Sequence, residues 1–201
     1  MPGPLRQRIG IYGGTFDPIH LGHIAIAEDA LQFAQLDQII FLPAFSAPLR
    51  NSEAGNSPDQ RFAMVERAIA KFPAFAVDNF EIQQGRRVYS IEAVRHFRDR
   101  FPEAELFFLI GGDQFEQLTQ WKSLEELQQE VTFLCASRAT EEKPENDSAP
   151  ATNVVFLPSR RVDISATEIR ERLLDGRSIR SLVPESVADS LDQYSREGSR
   201  D

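Results

Sequence analysis

A short apolar run, a glycine-rich turn and an amphipathic stretch follow one another near the start of this 201-residue chain. Residues 8–12 (RIGIY) are typical of a strand, and residues 21–34 carry apolar side chains three to four positions apart, as a helix does. The order strand, tight turn, helix places main-chain N–H groups and the positive end of the helix dipole beside the turn. This local pattern predicts an anion site, suited to a polyphosphate, at the turn.

The side chains of the turn fit a nucleotide phosphate. Gly13 and Gly14 allow close approach of the backbone, although alone they would also fit a simple strand-ending turn. Thr15 adds a hydroxyl. His20 and His23, two of the three histidines in the chain, are spaced to face the same side of the first helical turn. Their imidazoles could donate hydrogen bonds to phosphate oxygens, which favours a catalytic or binding role.

Residues 13–23 read GGTFDPIHLGH, which closely resembles the signature of the bacterial nicotinate-nucleotide adenylyltransferases, a family of the nucleotidyltransferase superfamily. That family carries a second motif, I-S-x-T-x-I-R, near its carboxyl end. Residues 164–170 (ISATEIR) are similar to it. The resemblance covers most of the chain and implies that both motifs bind ATP.

The second motif also has a structural interpretation of its own. Ser165 followed by Glu168 predicts a capping box at the start of a helix. Thr167 and Arg170 are not needed for that cap, and they would project from one side of the first turns, with Arg170 able to hold phosphate through two N–H groups. The resemblance adds Ile164 and Ser165 to the residues expected at ATP.

Two further segments are expected to contact ATP. A fully apolar run at residues 106–110 ends in Gly111, Gly112 and Asp113, and ligands of open α/β sheets bind beyond such strand ends. We therefore expect Gly111 and Asp113 at the nucleotide, Asp113 contacting the ribose or a metal-bound water. Residues 43–50 (PAFSAPLR) resemble the proline-rich loop of the family but depart from its usual pattern, so that Arg50 alone keeps the cationic role.

The resemblance implies a separate group of residues for the nicotinate nucleotide. Tyr89 and Ser90 resemble the element that lies near the nicotinate carboxylate, and Trp121, the single tryptophan, stands where the family stacks a tryptophan on the pyridine ring. A single tryptophan is also a common core residue. Arg138 corresponds to an arginine that the family follows with Pro-Gly, whereas Ala139 and Thr140 follow it here.

The whole chain predicts an α/β fold. Strand-like runs alternate with helical patterns, which favours a Rossmann-like, doubly wound and mostly parallel sheet with helices on both faces. The runs centre near Ile9, Ile39, Phe75, Leu106, Val131 and Val154. Residues 179–194 are expected to add a small helical part. We predict one domain over residues 1–201, with a flexible loop at about 140–153 and a frayed tail at about 195–201.

Composition limits the partners. A net charge of −9 argues against a general nucleic-acid binder, because affinity for phosphate backbones requires clustered Lys and Arg. No apolar stretch is long enough to span a bilayer, so we expect no membrane association and a cytoplasmic protein. One cysteine excludes an intrachain disulfide framework. Assembly into a homo-oligomer stays open.

The resemblance implies transfer of the adenylyl group of ATP to nicotinate mononucleotide, giving nicotinate adenine dinucleotide and pyrophosphate in NAD biosynthesis. His20, His23 and Arg170 would be the catalytic residues, and Mg²⁺ would accompany ATP without a dedicated protein site. Three alternatives stay open at this point. The acceptor could be nicotinamide mononucleotide or phosphopantetheine, or the chain could be a nucleotide-binding regulator without turnover.

Overall fold

A computed structural model of the chain describes residues 6–46, 55–136, 153–158 and 163–197. Six strands form one sheet in the order β3-β2-β1-β4-β5-β6. All five strand pairings within these residues are parallel, which confirms the predicted α/β, Rossmann-like class. The strands are β1 (Arg8–Gly14), β2 (Gln38–Pro43), β3 (Phe75–Val77), β4 (Glu105–Gly111), β5 (Val131–Ala136) and β6 (Val154–Phe156).

Helices connect the strands and form the carboxyl-terminal part. They are α1 (Leu21–Phe33), α2 (Pro58–Ile69), α3 (Phe80–Gln84), α4 (Ser90–Arg100), α5 (Gly112–Glu116), α6 (Leu124–Glu130), α7 (Ala166–Leu174) and α8 (Glu185–Glu197), with a 3₁₀ turn at Leu118–Gln120. Helix α8 continues to Glu197, so the first residues of the expected tail are helical. The loop expected at about 140–153 lies outside the described residues, except for Asn153. In the described part of the chain, no helix combines the length and apolarity needed to cross a membrane.

Side chains of the strands alternate between two cores, one on each face of the sheet. Tyr12 and Phe107 point into a core shared with α1, α2, α7 and α8. Ile11 and Phe108 point into a second core, which includes residues of α4 and α6. The alternation follows from the period of two along a strand, and it places helices on both faces as the sequence predicts.

The direction of winding reverses between β1 and β4. The chain passes from β1 to β2 and β3 on one side, and it returns to add β4, β5 and β6 on the other. Tyr12 of β1 is paired with Leu109 of β4, so Gly14 and Gly111 end neighbouring strands. Ligands of doubly wound folds bind at the carboxyl ends of strands where the order reverses. The predicted phosphate turn therefore lies at the expected position for a ligand.

Candidate active site

Side chains pack closely against the two glycines that end β1 and β4. A Cβ at Gly14 would lie 3.0 Å from the Phe16 ring, and one at Gly111 would lie 2.7 Å from Oδ1 of Asp113. Burial, with a smaller contribution from the Asp113 carboxylate, raises the pKa of the Tyr12 hydroxyl. Asp113 therefore faces the end of β1, while its own side chain stays exposed to solvent.

Phe16 packs between β1 and the start of α1 and holds the turn in place. Its backbone has φ of 49°, a left-handed conformation that is strained for a bulky residue. The ring is buried and makes edge contacts with Tyr12, at 5.5 Å between centroids, and with His23, at 5.0 Å. These contacts hold a conformation that the local sequence alone disfavours, and they bring the turn against the first histidine-bearing turn of α1.

His20 and His23 stack on each other at the start of α1. Their ring centroids lie 3.6 Å apart with planes inclined by 25°. The main-chain N–H of His20 donates to Nδ1 of His23 at 3.2 Å. Because that Nδ1 accepts a hydrogen bond, neutral His23 carries its proton on Nε2. Nδ1 of His20 is buried and has no hydrogen-bond partner among the described residues.

Both imidazoles are neutral at pH 7. Burial lowers the pKa of His20 to about 4. Burial, and then the neighbouring His20, lower the pKa of His23 well below its usual value. Each ring can therefore donate one N–H without carrying a charge of its own. A bound polyphosphate would favour the charged forms and raise both pKa values.

Helix α7 brings the second motif to the same place. Ser165 Oγ caps it by accepting from the Glu168 N–H at 3.1 Å, which confirms half of the predicted box, whereas the Glu168 carboxylate pairs with Arg172 instead. Arg170 donates to the main-chain oxygen of Asp17 at 2.6 Å, across 153 positions of sequence, and to Thr167 Oγ1 at 3.1 Å. The amino ends of α1 and α7 are thus joined through the turn that carries Asp17.

Arg61 of α2 is buried, as a residue on the packed face of that helix would be. The structure gives it a further role, because its guanidinium donates to the main-chain oxygens of Thr15 and Ala44 at 2.6 Å each, and of Phe45 and Asn56 at 3.1 and 3.2 Å. Arg61 therefore ties the phosphate turn to the loop after β2 and to the start of α2. An arginine within the apolar stripe of α2 is the signal that could have revealed this contact.

Asp17 is a structural residue, as its place before proline suggests. Its buried carboxylate accepts from Asn56 through both the main-chain N–H, at 3.2 Å, and Nδ2, at 2.7 Å. The opposing effects on Arg61 fit this cluster: burial lowers the pKa of its guanidinium, while the Asp17 and Glu81 carboxylates raise it. These contacts tie the turn to the segment that precedes α2.

Tyr89, Ser90 and Trp121, three of the four residues expected at the nicotinate nucleotide, lie on the side of the second core. Tyr89 precedes α4 and is 41% exposed, and Ser90 begins the helix. Trp121 packs edge-on against Phe108, at 5.9 Å between centroids, and is partly exposed. The Nζ atom of Lys122 lies 4.3 Å from the Tyr89 ring centroid, which joins the two segments.

The two groups of residues are connected through Phe108. Its ring lies 3.5 Å from the Cβ position of Gly13 and also contacts Trp121. The Thr15 main chain is held by Arg61, Thr167 accepts from Arg170, and Ile164 packs against the core shared with α1 and α7; their contacts with ATP stay predictions. Arg50 and Arg138 lie outside the described residues, so their expected contacts stay predictions.

Comparisons with known proteins identify the family of this chain. The family model described as cytidylyltransferase-like matches residues 11–172. A probable nicotinate-nucleotide adenylyltransferase of Methylacidiphilum infernorum is 41% identical, covering 96% of this chain and 91% of the relative. One of Shouchella clausii is 37% identical, covering 93% and 95%.

A solved structure shares the fold at low identity. The Plasmodium falciparum nicotinic acid mononucleotide adenylyltransferase complexed with NaAD has a TM-score of 0.76 at 18% identity, and the match covers 94% of this chain and 96% of that one. The sequence relatives are more similar to this chain than the solved structure is, since they match nearly its full length at well above 30% identity. The chain belongs to the nicotinate-nucleotide adenylyltransferase family, within the cytidylyltransferase-like proteins.

Proposed function

We propose that this chain transfers the adenylyl group of ATP to nicotinate mononucleotide and releases pyrophosphate and nicotinate adenine dinucleotide. The names of its relatives support this reaction. The main support for this reaction is that the amino ends of α1 and α7, the two neutral imidazoles and Arg170 all lie around one turn. Such a site suits a polyphosphate whose charge grows during reaction.

The reaction needs positioning more than a base. An ionised phosphate of the mononucleotide is already a nucleophile, and its oxygen forms a bond to the α-phosphorus of ATP. The bond from that phosphorus to the pyrophosphate oxygen breaks in line with the attack, so no covalent enzyme intermediate is required. His20, His23 and Arg170 are the proposed catalytic residues, which donate hydrogen bonds to oxygens that gain charge.

The remaining contacts to ATP are divided between main chain and side chains. Gly14 and Gly111 end neighbouring strands at the site, and because neither carries a side chain, the nucleotide can approach the backbone there. The amino end of α7 supplies hydroxyls and N–H groups. The proposed ATP residues beyond the catalytic three are Gly13, Gly14, Thr15, Arg50, Gly111, Asp113, Ile164, Ser165 and Thr167.

The acceptor is proposed to bind on the Trp121 side of the sheet. The partly exposed indole packs against Phe108 of β4 and Phe133 of β5, and a pyridine ring can stack on its accessible part. Tyr89 and Ser90 lie at the amino end of α4, which favours an anionic group. Arg138 is proposed as a further contact to the acidic nucleotide.

Mg²⁺ is expected for an ATP-using member of this family, and the residues present fit it as a companion of ATP. Within the described residues, no group of three His, Cys, Asp or Glu side chains is arranged to hold a metal. Mg²⁺ commonly binds through phosphates, several waters and one or two carboxylates, and the exposed carboxylate of Asp113 fits the last of these. When bound, the ion would neutralise charge on the phosphates.

The cellular setting follows from the reaction. A step of NAD biosynthesis that uses soluble nucleotides leads us to propose a cytoplasmic enzyme working as one domain. The absence of a nucleic-acid partner stays a prediction from the sequence, and assembly into a homo-oligomer stays open.

The decisive experiment measures pyrophosphate release with ATP and Mg²⁺ in three parallel reactions, containing nicotinate mononucleotide, nicotinamide mononucleotide or phosphopantetheine. We expect the highest kcat/KM with nicotinate mononucleotide. Preference for another acceptor would move the enzyme within its superfamily and contradict the proposed substrate. Tight ATP binding without pyrophosphate release from any acceptor would instead identify a regulator.

A further inference from the structure

Two cations contact the exposed ring of Tyr89 at the acceptor side. Lys122 Nζ lies 4.3 Å from the ring centroid, and Arg87 Cζ lies 5.8 Å from it. Lys122 directly follows Trp121 in the chain, and Tyr89 directly precedes α4. A cation over an aromatic face is attracted by the ring quadrupole, so the Tyr89 ring restrains a side chain that would otherwise be free to rotate. The positive charge therefore has a defined place between the two acceptor segments.

Nearby carboxylates do not neutralise this charge by direct pairing. Glu92 is engaged by Arg86, with Nη2 to Oε2 at 2.6 Å, and it also accepts from the Tyr89 N–H. Burial raises the pKa of Glu81 to about 7 against the opposing effects of Arg61 and Arg87, so this carboxyl is partly protonated near neutral pH. Among the residues that the structure describes, no ion pair within 4.0 Å involves Lys122 or Arg87.

The two pyridine mononucleotides differ in charge at the part of the acceptor assigned to this side. Nicotinate mononucleotide carries a carboxylate on its ring, whereas nicotinamide mononucleotide carries a neutral amide. A shape-based site distinguishes these nearly isosteric groups poorly, but an unpaired ammonium beside the ring site favours the carboxylate over the amide. Lys122 is the cation closest to the Tyr89 ring and adjacent in sequence to the stacking candidate Trp121.

Resting on the proposed function, we propose that the Lys122 side chain is a specificity-determining group that favours the acid acceptor over the amide acceptor. Its ammonium, held over Tyr89, attracts the negative charge of the pyridine carboxylate. Arg87 adds to the same positive potential from farther away. The effect acts on acceptor binding, so it appears in KM and not in the chemical step.

The test compares Lys122→Met, which keeps length and removes charge, with Lys122→Arg, which keeps charge. Kinetics are measured with both mononucleotides. We expect Lys122→Met to lower the acid-to-amide ratio of kcat/KM about tenfold, equivalent to ~1.4 kcal/mol, through a higher KM for the acid. Lys122→Arg should retain most of the ratio. Lys71→Met is the matched control, since Lys71 lies 5.4 Å from the Phe72 ring, ahead of β3 at the opposite edge of the sheet.

Ionic strength provides a readout that a merely structural lysine would not change. Raising salt from about 0.01 M to about 0.15 M shortens the screening length from about 30 to about 8 Å. The preference of the unaltered protein for the acid should shrink over this range, and that of Lys122→Met should stay nearly flat. An unchanged ratio in Lys122→Met, or equal losses with both acceptors, would overturn the inference.

Binding separates this inference from the proposed function. Calorimetric titration of each mononucleotide, with a non-hydrolysable ATP analogue present, measures the acid-to-amide affinity ratio without turnover. A tenfold loss of that ratio in Lys122→Met supports the inference even for a protein that releases no pyrophosphate. Turnover of nicotinate mononucleotide combined with an unchanged ratio would keep the proposed function and reject the role of Lys122.

Discussion

The phosphate side and the acceptor side of the site are built differently. On the phosphate side, arginine side chains bind main-chain oxygens: the buried Arg61 donates to four carbonyls, and the partly exposed Arg170 reaches the carbonyl of Asp17. On the acceptor side, Tyr89 is 41% exposed, and the Arg86–Glu92 pair that flanks it lies at the surface. The first side is rigidly arranged before ATP arrives, whereas the second is held by weaker contacts.

This difference predicts separate consequences of substitution. Groups fixed in advance around developing charge act in the transition state, so their loss lowers kcat. Exposed groups that contact the acceptor act mainly in binding, so their loss raises KM and changes selectivity. A variant of the phosphate side that changes only the KM for the acceptor, or a variant of the acceptor side that changes only kcat, would show that the two sides are not distinct.

The largest effect is expected from the stacked histidines. His20→Ala or His23→Ala should lower kcat by about 10²- to 10³-fold, because each removes a donor aimed at growing phosphate charge. The fold should survive, which circular dichroism and thermal unfolding can verify. Pyrophosphate release at saturating substrates measures the loss.

The third histidine provides a control for this prediction. His96 lies in α4 and stacks on Phe80 at 4.1 Å between centroids, away from the phosphate turn. His96→Gln should keep kcat within about twofold of the unaltered enzyme. A kcat near the unaltered value in His20→Ala and His23→Ala would remove both residues from the catalytic assignment.

The next effect concerns the buried guanidinium of α2. Arg61→Met leaves four main-chain oxygens without their donor, and we expect it to lower the free energy of unfolding by about 3 kcal/mol. The phosphate turn should also loosen, so the KM for ATP rises more than that for the acceptor. Urea unfolding and initial rates with each substrate varied in turn measure the two effects.

Arg67 on the same helix is the matched control, because it donates to the Ser190 hydroxyl at 2.6 Å and touches no residue of the turn. Arg67→Met should cost only about 1 kcal/mol of stability. Arg67→Met should leave the KM for ATP unchanged. Equal changes of both KM values in Arg61→Met would indicate general loosening and not selective support of the phosphate side.

Acid sensitivity should also distinguish the phosphate side. Burial lowers the pKa of His20 to about 4, while the unfolded chain takes up the same proton near the ordinary value of 6.5. The unfolded state therefore binds more protons between these values, and stability falls as pH falls. From pH 7 to pH 5, His20 alone should account for a loss of about 2 kcal/mol. Urea unfolding should show this loss reduced in His20→Gln, and parallel pH profiles of the two proteins would contradict the buried neutral state.

Local elements of this fold could be predicted because their determinants are local. The strand ending at Gly14, the helix beginning at Leu21 and the Ser165 cap each depend on residues within one or two turns. All six predicted strand positions lie in the observed sheet, since apolar runs between helical patterns leave few other arrangements.

Contacts between distant loops could not be predicted by the same reasoning. Arg170 contacts Asp17 only because the folded sheet places α7 beside α1. The periodicity of apolar residues in the sequence does not predict that contact. The place of Arg61 within the apolar stripe of α2 indicates burial but does not identify its partners, because its four acceptors are carbonyl oxygens, which every residue possesses. The Lys122 contact with Tyr89 likewise depends on how a 3₁₀ turn and a helix start are placed in space.

Substitution of Trp121 is expected to give the smallest effect, and it tests most directly whether the acceptor side acts separately from the phosphate side. Its ring makes T-shaped contacts with Phe108 and Phe133, at 5.9 and 6.2 Å between centroids, and stays partly exposed, so it contacts both the core and solvent. Trp121→Leu keeps apolar volume and removes the stacking surface. We expect the KM for nicotinate mononucleotide to rise about tenfold, ~1.4 kcal/mol, while kcat and the KM for ATP change little.

Trp121→Phe should recover most of the acceptor affinity, because a ring remains to stack. The contact of Phe108 with Gly13 makes the ATP measurement informative. If Trp121 served only to support Phe108, its loss would loosen the phosphate turn, and the KM for ATP would rise at least as much as that for the acceptor. A selective change in the acceptor KM would instead show that a side chain packed against the core also binds substrate, independently of the phosphate side.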